Sequence, residues 1–340
     1  MRVLMKPIVL LLSIAAIAFA QEAKKPKTGL DPEDWKYTLA RVVTTRDVTY
    51  YSDGVACFAK LFFPKGFSAQ AKTPGVVLGQ GWAGTHFSIE KYGARFAERG
   101  LVAMVIDYRG WGSSDGFPSI INAKDRVGGD YHRDDKRFSE LKADVSVKRT
   151  RLLPLKQVED YRNAISYLQG EPGVDPERIG VWGSSFAGGN SVVTAALDAR
   201  VKAVSVQVPA LGSKMQPGAP FKLQGRLLED AIKRARTGQG GEYETGYSFK
   251  RNVDVETQQA VAEYNPMSYL PQIGARPVLI IVAEKDELIN NQRSGRTFFE
   301  GLTGPKDYIE VKGISHFEMY IGEAFERSSN AAADWFLKYL

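Results

Sequence analysis

The chain has 340 residues, a formal net charge of +6 and a single cysteine, Cys57. That mildly basic balance does not call for nucleic acid as a partner. One Cys rules out an intrachain disulfide, and one Cys with three widely spaced His gives no metal-ligand spacing.

Arg2 and Lys6 precede an apolar run from Pro7 to Phe19, which ends in Ala18-Phe19-Ala20 and then the polar Gln21-Glu22-Ala23-Lys24-Lys25. This three-part build predicts a signal peptide over 1–20, cleaved near Ala20, and a secreted or periplasmic product. The run is shorter than the roughly 20 residues that span a bilayer, and no later run is longer, so no membrane span is expected after cleavage. Residues 21–36 are polar, carry Pro26 and Pro32, and read as a tether; 37–340 read as one domain.

Strands are predicted at about 41–51 and 55–63, joined by Ser52-Asp53-Gly54, an Asp-Gly hairpin signal. The second contains Cys57, which reads as a small buried hydrophobe. From residue 74 strands and helices alternate. Val76–Leu78 is a strand, and 86–98 a helix with Ile89, Tyr92, Phe96 and Ala97 on one face. Leu101–Ile106 is a strand and 155–168 a helix. Ile179–Trp182 is a strand followed by a helix over 186–198. Val201–Val208 and Val278–Val282 are strands, and a helix lies near 290–302. Tyr308–Val311 is the last strand and Phe325–Leu340 the closing helix. Continuous apolar strands alternating with helices imply an α/β fold with a mostly parallel sheet covered on both faces, made mixed by the antiparallel N-terminal hairpin.

Two insertions interrupt the rhythm, at about 111–153 and 211–270. The second carries Leu227, Leu228, Ala231, Ile232 and Ala235 at helical spacing, and reads as a helical cap over the strands' C-terminal edge. Its basic residues Lys222, Arg226, Lys233, Arg234 and Arg236 read first as a solvated face, with attraction of an acidic substrate as the alternative.

The chemistry concentrates at Gly183-Ser184-Ser185-Phe186-Ala187-Gly188-Gly189, between a strand and a helix. A sharp turn that presents a serine needs very small residues two before and two after it, and Gly183 and Ala187 meet that need for Ser185. For Ser184 the flanks would be Trp182 and Phe186, which are too large. A serine hydroxyl needs a base. His316 follows the last strand, whereas His86 and His132 read as surface or loop residues. Asp286, in the loop after Val278–Val282, is the candidate acid, with Glu284 and Glu287 as neighbours able to do the same job. Gly79-Gln80-Gly81-Trp82-Ala83-Gly84 follows the first parallel strand. It resembles, with Gln80 in place of His, the H-G-x-x loop of the α/β-hydrolases, and that resemblance implies the N–H groups of Trp82 and Phe186 as oxyanion donors.

These segments, with Asp107-Tyr108-Arg109-Gly110-Trp111-Gly112-Ser113-Ser114, occur in the order found in the α/β-hydrolase superfamily, which residues 40–340 resemble. The front hairpin, the Q-G-W loop and the Gly313-Ile314-Ser315-His316-Phe317 ending look like the branch of dienelactone hydrolases, Xaa-Pro peptidases and related acyl transferases. Two departures stand out: Ser185 where dienelactone hydrolases use Cys, and Gln80 where the family usually has His. The resemblance implies the order Ser185, Asp286, His316 for nucleophile, acid and base. It makes the Asp107–Ser114 turn a structural element. It also implies a small-molecule ester or acyl substrate, with no cofactor and no metal. The expected activity is carboxylic ester hydrolysis through an acyl-enzyme. An amidase, peptidase or acyltransferase with the same residues is the alternative, and a non-catalytic binding protein is the remaining one.

Overall fold

The computed structural model describes residues 27, 29–82, 84–120, 144–149, 151–212, 221–238 and 254–340. The predicted signal peptide and its cleavage point lie outside these. After a short helix α1 (Pro32–Trp35) come β1 (Thr44–Ser52) and β2 (Val55–Phe63), antiparallel about the Asp53-Gly54 turn. Then follow β3 (Thr73–Gly79), α2 (Glu90–Glu98), β4 (Val102–Ile106), β5 (Phe117–Ile120), β6 (Val145–Lys148) and α3 (Pro154–Gln169). The second half holds β7 (Val174–Ser184), α4 (Phe186–Leu197), β8 (Val201–Gln207), α5 (Arg226–Thr237), α6 (Val255–Glu263) and α7 (Leu270–Ile273). It closes with β9 (Val278–Ala283), α8 (Thr297–Gly301), β10 (Lys306–Val311) and α9 (Gly322–Tyr339).

Among the described residues eight strands form one sheet in the order β1-β2-β4-β3-β7-β8-β9-β10. β2 runs antiparallel to β1 and β4, and every other neighbouring pair is parallel. The apolar runs predicted as strands are buried throughout β4 and β9, as a sheet covered on both faces requires. Trp182, Phe96 and Phe336 centre the core under α2 and α9, while Tyr161, Ile165 and Phe298 belong to the core on the other face. This is the mostly parallel, doubly covered sheet expected from the strand–helix alternation, and the α/β-hydrolase fold that the resemblance implies. The loops after β3, β7, β9 and β10 gather at one edge of the sheet, where such sheets bind ligands.

The structure adds detail to these expectations. Within the stretch read as a tether, 21–36, Leu30 packs on the core and the Asp34 carbonyl accepts from Lys91 Nζ (2.6 Å); just beyond it, Tyr37 Oη donates to Glu90 (2.8 Å). The insertion at 111–153 contributes an antiparallel pair, β5 with β6. The helix predicted near 290–302 is a π-turn over Gln292–Arg296 running into the short α8. In the 211–270 insertion α5 forms where its spacing predicts. Its apolar side chains Leu228 and Ile232 are exposed, however, and Asp230 is its buried residue. α6 docks beside the entry to α3: the Leu152 N–H donates to Thr257, and Arg151 pairs with Asp254 at 3.0 Å.

Candidate active site

Ser185 lies at the break between β7 and α4 with φ 55° and ψ −121°, a conformation that costs a non-glycine residue roughly 1–3 kcal/mol. Neighbouring backbone fixes it. Its N–H donates to the Gln207 carbonyl (2.9 Å), and its own carbonyl accepts from Ala210 (2.9 Å) and Gly188 (3.0 Å). A Cβ on Gly183 would stand 2.2 Å from the Ala187 carbonyl oxygen, so the turn closes only with glycine there. The hydroxyl ends at the N-terminus of a twelve-residue helix, where developing negative charge is favoured.

His316 Nε2 is 3.1 Å from Ser185 Oγ, and its Nδ1 is 2.8 Å from Asp286 Oδ2. The imidazole and the Asp286 carboxylate are shut from solvent. Asp286 Oδ1 accepts from the Leu288 (3.0 Å) and Ile289 (2.8 Å) amides, which hold the carboxylate in place. The two neighbouring acids hold backbone instead. Glu287 accepts the His316 N–H at 3.0 Å, and Glu284 accepts the Gly313 N–H at 2.8 Å and pairs with Lys312. Ser184 points away, 2.6 Å from the Tyr320 hydroxyl. Burial pushes that phenol up, so it stays neutral.

The loop after β3 passes directly over the serine: a Cβ on Gly81 would meet the Ser185 Cβ at 2.9 Å. Trp82 and Phe186, whose N–H groups are the oxyanion candidates, flank the serine and meet edge to face at 5.4 Å. Behind that loop, Gln80 Nε2 reaches Asp107 at 3.5 Å, and His86 Nδ1 is 2.6 Å from the same carboxylate. His86 is therefore a buried residue rather than the surface or loop residue the sequence suggests, and His132 lies outside the described residues. Arg109 of the same turn donates to Asp160 on α3 at 2.7 Å and to Ser52 at 2.6 Å, a structural role.

A cavity of about 240 Å³ opens onto Ser185 and His316, walled by Leu30, Trp35, Trp82, Leu288, Phe317 and Tyr320. Neither α5 nor α6 lines it. α6 leads into Tyr264, which packs on Phe186 from the far side (6.1 Å between ring centroids). The structure brings together Ser185, His316 and Asp286, the side chains singled out from the sequence, and adds walls the sequence did not single out: Leu30, Trp35, Leu288 and Tyr320. The aromatics at 317 and 320 follow His316 so closely that they carried a signal; Leu30 and Trp35 stood in a polar stretch and carried little. Among the described residues no cluster of His, Cys, Asp and Glu is placed to hold a metal, and no helix is long and apolar enough to cross a membrane.

Two family models match: the dienelactone hydrolase family over residues 61–220, and the BAAT / Acyl-CoA thioester hydrolase C-terminal family over 157–314. The quorum-quenching protein AidA of Acinetobacter baumannii is 28% identical, with 83% of this chain and 90% of that protein covered. The thiohydrolase aneE of Aspergillus aculeatus is 22% identical, with 81% and 86% covered. The structure of DcsB in complex with its substrate analogue superposes with a TM-score of 0.69 at 21% identity, covering 87% of this chain and 100% of that one.

Proposed function

We propose that this chain, which has the α/β-hydrolase fold and matches the dienelactone hydrolase family model over residues 61–220, is an exported serine hydrolase that cleaves carboxylic esters through an acyl-enzyme. The observation that carries this is the hydrogen-bonded line Ser185–His316–Asp286, set on a strained turn at the floor of a cavity. The Asp286 carboxylate keeps the proton of His316 on Nδ1, leaving Nε2 as the base. Ser185 Oγ attacks the ester carbonyl as its proton passes to Nε2. The N–H groups of Phe186 and Trp82 receive the oxyanion. Nε2 then returns the proton to the departing alcohol. Water attacks the acyl-enzyme with the same base and releases the acid. Export rests on the charged, apolar and small-residue segments of 1–20; a mature protein beginning at Gln21 by mass spectrometry is its test.

The test of the chemistry is hydrolysis of p-nitrophenyl acetate and butyrate by wild type beside Ser185→Ala. The substitution is expected to lower kcat by roughly 10⁴-fold or more, and to abolish labelling by a fluorophosphonate. Equal rates in the two proteins would remove Ser185 as the nucleophile.

The match to an acyl-CoA thioester hydrolase model over 157–314, together with the likeness to a thiohydrolase, favours thioesters as a second substrate class for the same residues. A butyryl thioester of N-acetylcysteamine, followed by thiol release against p-nitrophenyl butyrate, separates the two. Preference for the thioester by kcat/KM would make the thiol the natural leaving group.

A further inference from the structure

The segment ahead of β1 is built into the site. Between Gly29 and Trp35 it borders the cavity and contributes two of its walls, Leu30 and Trp35. It is pinned at several points to elements that carry or support the reacting groups. Ser315, beside His316, donates to the Lys27 carbonyl at 3.3 Å. Lys91 Nζ from α2 donates both to the Asp34 carbonyl and to the carbonyl of Tyr320, itself a wall of the cavity. Tyr37 Oη donates to Glu90 of α2 at 2.8 Å. The short helix α1 sets Trp35 in the cavity wall, half-buried, with its indole N–H shut from solvent. The cavity, about 240 Å³ and partly open to solvent, is smaller than the usual 300–1,000 Å³ of pockets for larger ligands.

We propose that this strap is the specificity wall of the site: Trp35, backed by Leu30, closes the cavity to long chains and restricts the enzyme to short acyl groups. The inference rests on the reading of Ser185 as an acylated nucleophile. Among the described residues α5 and α6 of the 211–270 insertion do not line this cavity, and the N-terminal strap does.

The experiment measures kcat/KM for p-nitrophenyl acetate, butyrate, hexanoate and octanoate with wild type, Trp35→Phe, Trp35→Ala and Leu30→Ala. Each protein is also titrated with a small fluorophosphonate. Wild type is expected to favour acetate or butyrate. Trp35→Ala is expected to raise the octanoate-to-butyrate ratio by about tenfold or more, the scale on which apolar pockets sort methylenes. Leu30→Ala should move it the same way by less, and Trp35→Phe, which keeps a ring, should stay near wild type. An unchanged ratio in both alanine variants, with labelling intact, overturns the strap as a wall and leaves the nucleophile standing. Absence of labelling and hydrolysis in wild type overturns the function itself and the strap's role with it. A general loss of rate without a change in ratio assigns the strap to folding and overturns the proposal.

Discussion

Asp286 and Glu287 are adjacent carboxylates that both touch His316, and their contacts differ in kind. Asp286 meets the ring at Nδ1, whereas Glu287 accepts the backbone N–H. A ring contact fixes tautomer and stabilises the imidazolium, while a backbone contact only shapes the loop. Asp286→Asn should therefore lower kcat on p-nitrophenyl butyrate by about 10⁴-fold. Glu287→Gln keeps an acceptor oxygen and should stay within about an order of magnitude of wild type. Comparable losses in the two variants would transfer the acid role to Glu287. Sequence spacing narrowed the acid to three carboxylates and favoured Asp286; the direction of each side chain was out of its reach. Ser185 was easier to read because the turn's geometry writes itself into composition: Gly183 and Ala187 are small for a steric reason. His86 shows the opposite case. A histidine six residues beyond Gln80 looked like a loop residue, and only the fold brings it onto Asp107. Cys57 lies in the core and burial pushes its thiol up to about 12, as its place in an apolar strand suggested.

The turn after β4 illustrates how elements hold one another. Arg109 is buried and donates through Nε and its backbone N–H to Asp160 of α3, while Asp107 receives the Ser113 and His86 amides. The turn thus clamps β4 to α3 and braces the loop that carries Gln80. Removing one member of a buried ion pair leaves the other charge uncompensated, at a cost of about 3–5 kcal/mol. Arg109→Met should lower urea-unfolding stability by that amount, and its loss should greatly exceed that of an exposed pair such as Lys36–Glu33. A loss below about 1 kcal/mol would reduce the motif to surface decoration. Motif order was enough to mark this turn as structural, because its residues are local in sequence. The cap helix was less legible. Its 3.6-residue spacing gave α5 correctly, but periodicity names an apolar face without naming what that face meets, and Leu228 and Ile232 are exposed.

Across the whole molecule, strand–helix alternation indicated a parallel sheet and a reacting edge, but not the strand order, because order depends on which apolar runs pair at long range. The same limit hid the strap. Residues 27–38 are polar and proline-bearing, and what docks them is chemistry on α2, above all Lys91. Burial pushes the Lys91 amine down to about 8 from an ordinary 10.5, with Asp34 pulling weakly the other way. In the unfolded chain the group keeps its ordinary affinity for protons. Below about pH 8 both states are charged, so the folded protein bears the full cost of burying an ammonium. Between about 8 and 10.5 the unfolded state binds more protons, and the contribution of Lys91 to stability rises with pH. Lys91→Met has no such titration and leaves the Asp34 and Tyr320 carbonyls without this donor. The difference in Tm, wild type minus variant, should be level from pH 6 to about 8 and grow from there toward pH 10. Taking the difference cancels the titration of groups shared by both proteins. A difference that shrinks over that range would mean that the Lys91 charge, rather than its N–H donors, ties α2 to the strap and to the loop of His316.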